Sequence, residues 1–577
     1  MGEHPVDCGR CVLNATTEGS ALDAFFAHYW DRHPVTATFT GLHAGDHRLP
    51  DWSRDARDAE LAELQRLSVR LLAEHPMPAD GYAGLARDDR AVDGELARAN
   101  IDVRVGEFRS GFFHDRNPAL WTGEAIFGVV SLMIRPFAPA AERVTRISAR
   151  LRAIPRFLAT MQSTIQGPVP SLWCDRARRE CAAAQSLFEG GLTKWLAASG
   201  IVETDVVLAD AAFACTAFAA AYAWLADLPA ADATGYSCGE ELLALMLARG
   251  HFCEHSPRDL LARADAAIQV ENTRLSEALR RANMDWSAAQ AAMAAQHADV
   301  DDYYAAFTVR WWEIHDTVIA ADVVTWPEWP IRYVPIPDWA RDAQPALYWL
   351  FYRSPAPFDP YTRYDYVVTP IDDSMADDVQ AARLAVWNDS TITLNHVVHH
   401  GGIGHHVQNW HAIHRSTSRV GTIAAVDAAS RISMFLGGSM AEGWACYATQ
   451  LAEELGSLTP LETLSEQHSR VRFLARAIVD MRLHLGDWSF TTCVQYYQTQ
   501  VGMSVEAATA ESTKNSMFPA TAVMYWLGTQ GILDLRAQMQ ERQGERFSLK
   551  RFHDELLSRG AIPVPLAANL MRSELEG

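Results

Sequence analysis

The sequence predicts a mostly α-helical protein with a small β insert between two helical parts. Three observations predict it. Apolar residues recur at helical spacing through eight long stretches before residue 325. Pro, Trp and Tyr then crowd into 326–370, where the helical period is lost. Helical periodicity returns from about 376 and runs to the C-terminus. With 577 residues, the chain can bury more than one core.

Residues 1–20 (MGEHPVDCGRCVLNATTEGS) have neither a basic n-region nor an apolar h-region, and read as a flexible segment without a signal peptide. Cys8 and Cys11 are the only close pair among nine cysteines. A lone CxxC is a weak zinc signal, and scattered thiols fit a reducing compartment. The N-terminal helical region spans 21–325. In DARDAELAELQRLSVRLLAEHP (55–76) leucines recur at i, i+3, i+4 and i+7, and the run stops at a proline. Segments near 84–100, 139–165, 176–197, 203–227, 239–252, 258–282 and 302–322 repeat that pattern. The apolar run AAFACTAFAAAYAWLA has 16 residues and is rich in alanine, short of the ~20 stronger apolar residues of a membrane span. It reads as a buried helix, so no membrane partner is expected and the expected location is cytoplasmic.

The remaining part, 326–577, combines the β insert with a C-terminal helical region. IRYVPIP, ALYWLFYR and YDYVVTP read as strands with proline-rich connections. Fifty basic against 71 acidic residues give a formal charge of −21, which argues against a nucleic-acid partner. A small-molecule or short-peptide substrate remains open.

The C-terminal part holds the chemistry. LNHVVHHGGIGHHVQNWHAIH (394–414) contains seven of the 21 histidines in the chain. Neutral imidazole is the commonest zinc ligand, and catalytic sites pair two histidines with a carboxylate. Downstream, GGSMAEGWACYATQLAEELG reads as a helix with Glu442 in its first turn, apart from the charged face of Glu453 and Glu454. A carboxylate on a semi-apolar surface needs a partner, and a metal ion is one. A single histidine on an apolar face is usually a satisfied core residue. Two HH pairs around a glycine break favour a metal site, while His411 and His414 read as surface or supporting residues.

These motifs, with VDMRLHLGDW (479–488), ESTKNSMFPATAVMYWLG (511–528) and FHDELLSRGAIP (552–563), resemble the bacterial domain-of-unknown-function 885 family. ATFTGLHAGDHRLPDWS (37–53), LDAFFAHYWDRHP (22–34) and RLRAIPRFL (150–158) extend the resemblance over nearly the whole chain. The family is grouped with zinc metallopeptidases of gluzincin type. The resemblance implies a zincin-like helical fold whose site lies in a cleft under the N-terminal helical region. It implies one divalent metal, most readily zinc and alternatively iron, on His399, Glu442 and one of the pair His405 and His406. On an uninterrupted helix, position 406 lies about 10 Å from 399, so the glycines must break the helix; His405 is the favoured ligand. His406, Lys514 and Tyr366 are then expected to bind substrate. His484 and Tyr525, on family motif positions, are expected to be catalytic by donating to an oxyanion.

The sequence also departs from that family. The general base expected at 400 is His400 instead of Glu, and is expected to take over the proton transfer. The family's Pro at 403 is Ile403, its Arg-Tyr is Lys514-Asn515, and its Pro-Gly-Gln is Pro519-Ala520-Thr521. Arg482 and Asp487 replace glycines. Two enzyme classes follow: a hydrolase of an amide or small peptide-like metabolite, or a non-hydrolytic, iron-dependent tailoring enzyme on the same two-His-one-carboxylate set. A pseudoenzyme that binds without turnover is the third reading.

Overall fold

Helices begin where side-chain oxygens cap them. Ser53 accepts from Ala56 N–H ahead of Arg54–Glu74, and Ser256 with Pro257 opens Pro257–Arg281. At Pro460–His484, Thr459 and Glu462 form a reciprocal capping box. The computed structural model describes residues 19–329, 331–343, 356–359, 364–423 and 437–574, and these are mostly α-helical. The expected flexible segment and its CxxC pair fall almost wholly outside them, as does ALYWLFYR.

The helical stretches anticipated from periodicity appear as Arg54–Glu74, Asp89–Ser110, Ala140–Thr164, Ser171–Ser186, Asp205–Ala226, Pro257–Arg281 and Tyr303–Ala321. Two of the anticipated segments contain a π-turn, at Leu187–Gly191 and Met246–Gly250. The β insert is a two-stranded parallel sheet: β1 (Ile331–Pro335) pairs with β2 (Tyr364–Val368), with Tyr333 opposite Tyr366. The alanine-rich run needs a correction. Its helix, Asp205–Ala226, is the one described helix long and apolar enough to cross a membrane. It buries Ala211, Cys215 and Phe218 against Ala140–Thr164 and Ser171–Ser186, but leaves Val206, Phe213 and Tyr222 exposed.

Two large apolar clusters hold the molecule together, and neither stops at residue 325. One joins Trp121, Trp173 and Phe188 to Leu474, Ile478 and Val523. The other joins Leu22, Phe25 and Phe26 of the first helix to Trp444, Leu451 and Leu566. Arg150, fully buried, ties the N-terminal part together. Its guanidinium donates to the carbonyls of Arg48, Pro34 and Gly128 and to the hydroxyls of Thr38 and Ser131. A buried cation is tolerated when its N–H groups are used in this way.

Candidate metal centre

The site starts from a local backbone anomaly. Ile392–Gly401 winds as a ten-residue π-helix, a wide turn that recurs at functional sites. Gly402 and Gly404 then break it, and a new α-helix, His405–His414, starts with Gly404 as its N-cap. The glycine at 404 is required by space. A Cβ there would sit 1.8 Å from the His399 carbonyl oxygen, and the Gly404 N–H donates to Val398 O at 2.9 Å. The chain folds back so tightly that His405 returns to His399.

The break is held from outside. Trp311 Nε1 donates to Gly401 O at 2.6 Å, and Trp444 Nε1 donates to Ile403 O at 2.8 Å. Trp444 belongs to Gly438–Glu454, the helix that carries Glu442. That helix lies against Val523–Gln543 at a glycine crossing: a Cβ on Gly528 would be 1.9 Å from Ser439 O. The crossing brings Tyr525, one turn from Gly528, into the field of Glu442, which raises its phenol pKa further above the normal range after burial has done most of it.

Three imidazoles and one carboxylate converge. His399 Nε2 lies 3.3 Å and His405 Nε2 3.7 Å from Glu442 Oε2. A nitrogen from each of His399, His400 and His405 lies within 4.8 Å of the others. Two ligand atoms ~2.1 Å from a tetrahedral ion lie about 3.4 Å apart, close to the 3.3 and 3.7 Å that separate His399 and His405 from Glu442. Burial opposes charge on Glu442, yet the two imidazoles beside it hold its carboxyl well below the usual range. Burial in turn lowers the pKa values of His399 and His400; neighbouring imidazoles add to this for both. His400 Nδ1 meets the Asn395 carbonyl at 2.5 Å, so the neutral ring carries its proton there and its lone pair on Nε2.

Three expected residues do not face this centre. His406 turns the other way, pairing Nε2 with Trp329 O at 2.9 Å, and burial lowers its pKa to about 4. The helix restarts at 405, so successive side chains diverge by roughly 100° and only one of the pair can face His399. His484 is fully buried with both nitrogens engaged, Nε2 on Asn515 O at 3.0 Å and Nδ1 accepting from Cys238 N–H at 3.2 Å. It has no donor to offer an oxyanion. Tyr366 is 1% exposed and its hydroxyl bonds His396 Nδ1, so it supports the site from behind instead of binding substrate. Lys514 lies one turn from Glu511 and helps to hold that carboxylate ionised.

Sequence reasoning missed two groups. His396 stacks on Trp387 at 4.4 Å and lies behind His400, with burial lowering its pKa to about 3. Arg472 and Arg476 share one face of Pro460–His484, at i, i+4. Arg476 pairs with Glu511 at 2.7 Å and lies 5.0 Å over the Tyr525 ring. Their i, i+4 spacing, with Glu511 in a later motif, was the available signal.

A family described as bacterial protein of unknown function (DUF885) matches residues 34–571. No curated protein matches the sequence. Two solved structures are similar throughout. One, from Shewanella oneidensis, is provisionally described as a lipoprotein of unknown function; it is 19% identical, with a TM-score of 0.73, covering 96% of this chain and 99% of that one. The other, from Colwellia psychrerythraea, is also provisionally described as a lipoprotein; it is 17% identical, with a TM-score of 0.75 over the same shares. At such identities the likeness concerns the fold.

Proposed function

We propose, from the premise that this chain belongs to the bacterial DUF885 family, that it is a metal-dependent enzyme of gluzincin-like ancestry acting on an amide or small peptide-like metabolite. The observation that carries this reading is the convergence of His399, His405 and Glu442, at 3.3 and 3.7 Å, in a buried setting. His399, His405 and Glu442 would hold one divalent ion, zinc by preference. When bound, such an ion supplies Lewis-acid activation of water and of a carbonyl oxygen.

The chain's own groups do the rest. His400 stands where the family has a carboxylate base. With Nδ1 fixed on the Asn395 carbonyl, its Nε2 is the atom that accepts and returns a proton. Tyr525, held un-ionised beside Glu442, keeps its proton and can donate a hydrogen bond to negative charge developing on a substrate oxygen.

One observation favours a second reading. His400 lies within ligand reach of His399 and His405, so it can serve as a further ligand, which suits an iron-dependent, non-hydrolytic reaction. Elemental analysis of protein purified without added metal tests both. The expected result is about one zinc per chain, lost in His399→Ala and in Glu442→Ala with the fold kept. Iron in place of zinc selects the second reading, and full occupancy in both variants sinks the site.

The seven described cysteines are all free, which suits the reducing compartment expected for a cytoplasmic protein. The lipoprotein descriptions of the two similar structures favour an exported setting instead. Fractionation of the native host with an antibody against the chain decides between them.

A further inference from the structure

Arg472 is a cation without a counter-ion. Among the described residues its guanidinium makes no hydrogen bond and no ion pair, and its Nε is fully buried without a partner. Its one contact of note is the face of the adjacent Phe473 ring, 5.2 Å away. The chain does not treat Arg150 or Arg476 in this way. Arg150 spends its N–H groups on carbonyls and hydroxyls, and Arg476 pairs with both oxygens of Glu511, at 2.7 and 2.8 Å.

The location matters as much as the missing partner. Arg472 covers the Phe473 ring, which stacks on Tyr525 at 5.2 Å, and its charge acts on His399, so it stands on the side of the candidate metal centre. The acids at hand are already engaged, Glu442 by two histidines and Glu511 by Arg476. Arg472, Arg476 and Lys514 together carry three positive charges around the single carboxylate of Glu511. A partly exposed guanidinium with a buried Nε is poorly solvated by water alone, and its planar fork matches a carboxylate.

We propose that Arg472 is the anchor for a carboxylate group of the substrate, set beside the candidate metal centre. The inference rests on the enzymatic reading above and narrows it. The substrate is a small acid or a short peptide with a free carboxylate, and the reacting bond lies within one or two residues of that group.

The test is calorimetric binding to the full chain, with metal content measured on each sample. The probes are alanyl-phenylalanine, its C-terminal amide and inorganic phosphate. The wild type is expected to bind the free acid at least ten-fold tighter than the amide. Arg472→Met should lose that preference while keeping the wild-type metal content, and Arg472→Lys should keep part of it. Arg472→Lys also serves if the methionine variant fails to fold, because it retains the charge and loses the fork. Equal or absent binding of acid and amide by the wild type overturns the proposal. So does a preference that survives in Arg472→Met, or phosphate binding as tight as that of the acid. Retained acid preference in His399→Ala, with the metal gone, would sustain the carboxylate anchor independently. Metal binding by His399→Ala would instead sink the metal assignment and leave the anchor standing.

Discussion

At the scale of single residues, the exchange at position 400 is the most informative feature. An imidazole there is uncharged near neutrality, because burial above all, and the three neighbouring imidazoles of His399, His405 and His396, disfavour its protonated form. It therefore contributes no negative charge beside an ion, unlike a carboxylate. As a proton acceptor it should be required, so His400→Ala is expected to retain its metal and lose at least ~100-fold in turnover. Activity on ordinary peptides should be weak in the wild type and rise in His400→Glu. Assays of all three proteins on a dipeptide panel check this. Rapid peptide cleavage by the wild type, unchanged in His400→Ala, would make the exchange incidental. Loss of the ion from His400→Ala would instead assign it as a ligand.

At the scale of elements, the site depends on a backbone break more than on any helix. His399 and His405 come from different helices, and the turn between them leaves no room for a methyl group at Gly404. Gly404→Ala should push the His399 carbonyl away, with a cost of about 2 kcal/mol or more and a marked loss of metal affinity. Denaturation and metal titration of the variant measure the two effects. Wild-type affinity in Gly404→Ala would show that the turn is not what brings the ligands together. The need for such a break was legible in the sequence. Five histidines around GGIG could not meet on a continuous helix, and that argument favoured His405 over His406. The π-helix was not legible, because its period does not show in a ten-residue stretch of which nearly every member is buried. His484 and Tyr366 were misread for a common reason. Motif position says that a side chain is needed, but only packing reveals whether it is needed by a substrate or by a backbone carbonyl. Arg472 was missed for the converse reason: the absence of a partner is a property of three-dimensional packing.

At the scale of the whole molecule, the histidines outside the metal centre set an acid limit. His33, His251, His468 and His484 have their pKa values lowered to about 4, and His553 to about 3, by burial above all. In the unfolded chain each takes up a proton near pH 6.5, while the folded protein refuses it until well below pH 5. The stability they contribute is therefore fully present above about 6.5 and is lost as pH falls toward 4. Each adds a slope of up to ~1.4 kcal/mol per pH unit. Urea denaturation should show stability falling steeply between pH 6.5 and 5, above the range in which ordinary carboxylates titrate. A flat profile there would mean that these imidazoles are protonated in the native state.

The apolar cluster that joins the first helix to the last has a consequence for biogenesis. Leu22, Phe25 and Phe26 leave the ribosome well ahead of Leu566 and Met571, with most of the chain still to be made between them. At roughly 5–20 residues per second, the early helix waits some tens of seconds for its partners. During that time its aromatic face is open to any other sticky surface. A holdase that recognises Phe-rich helices has its opportunity then, and slow codons between the two partners lengthen it.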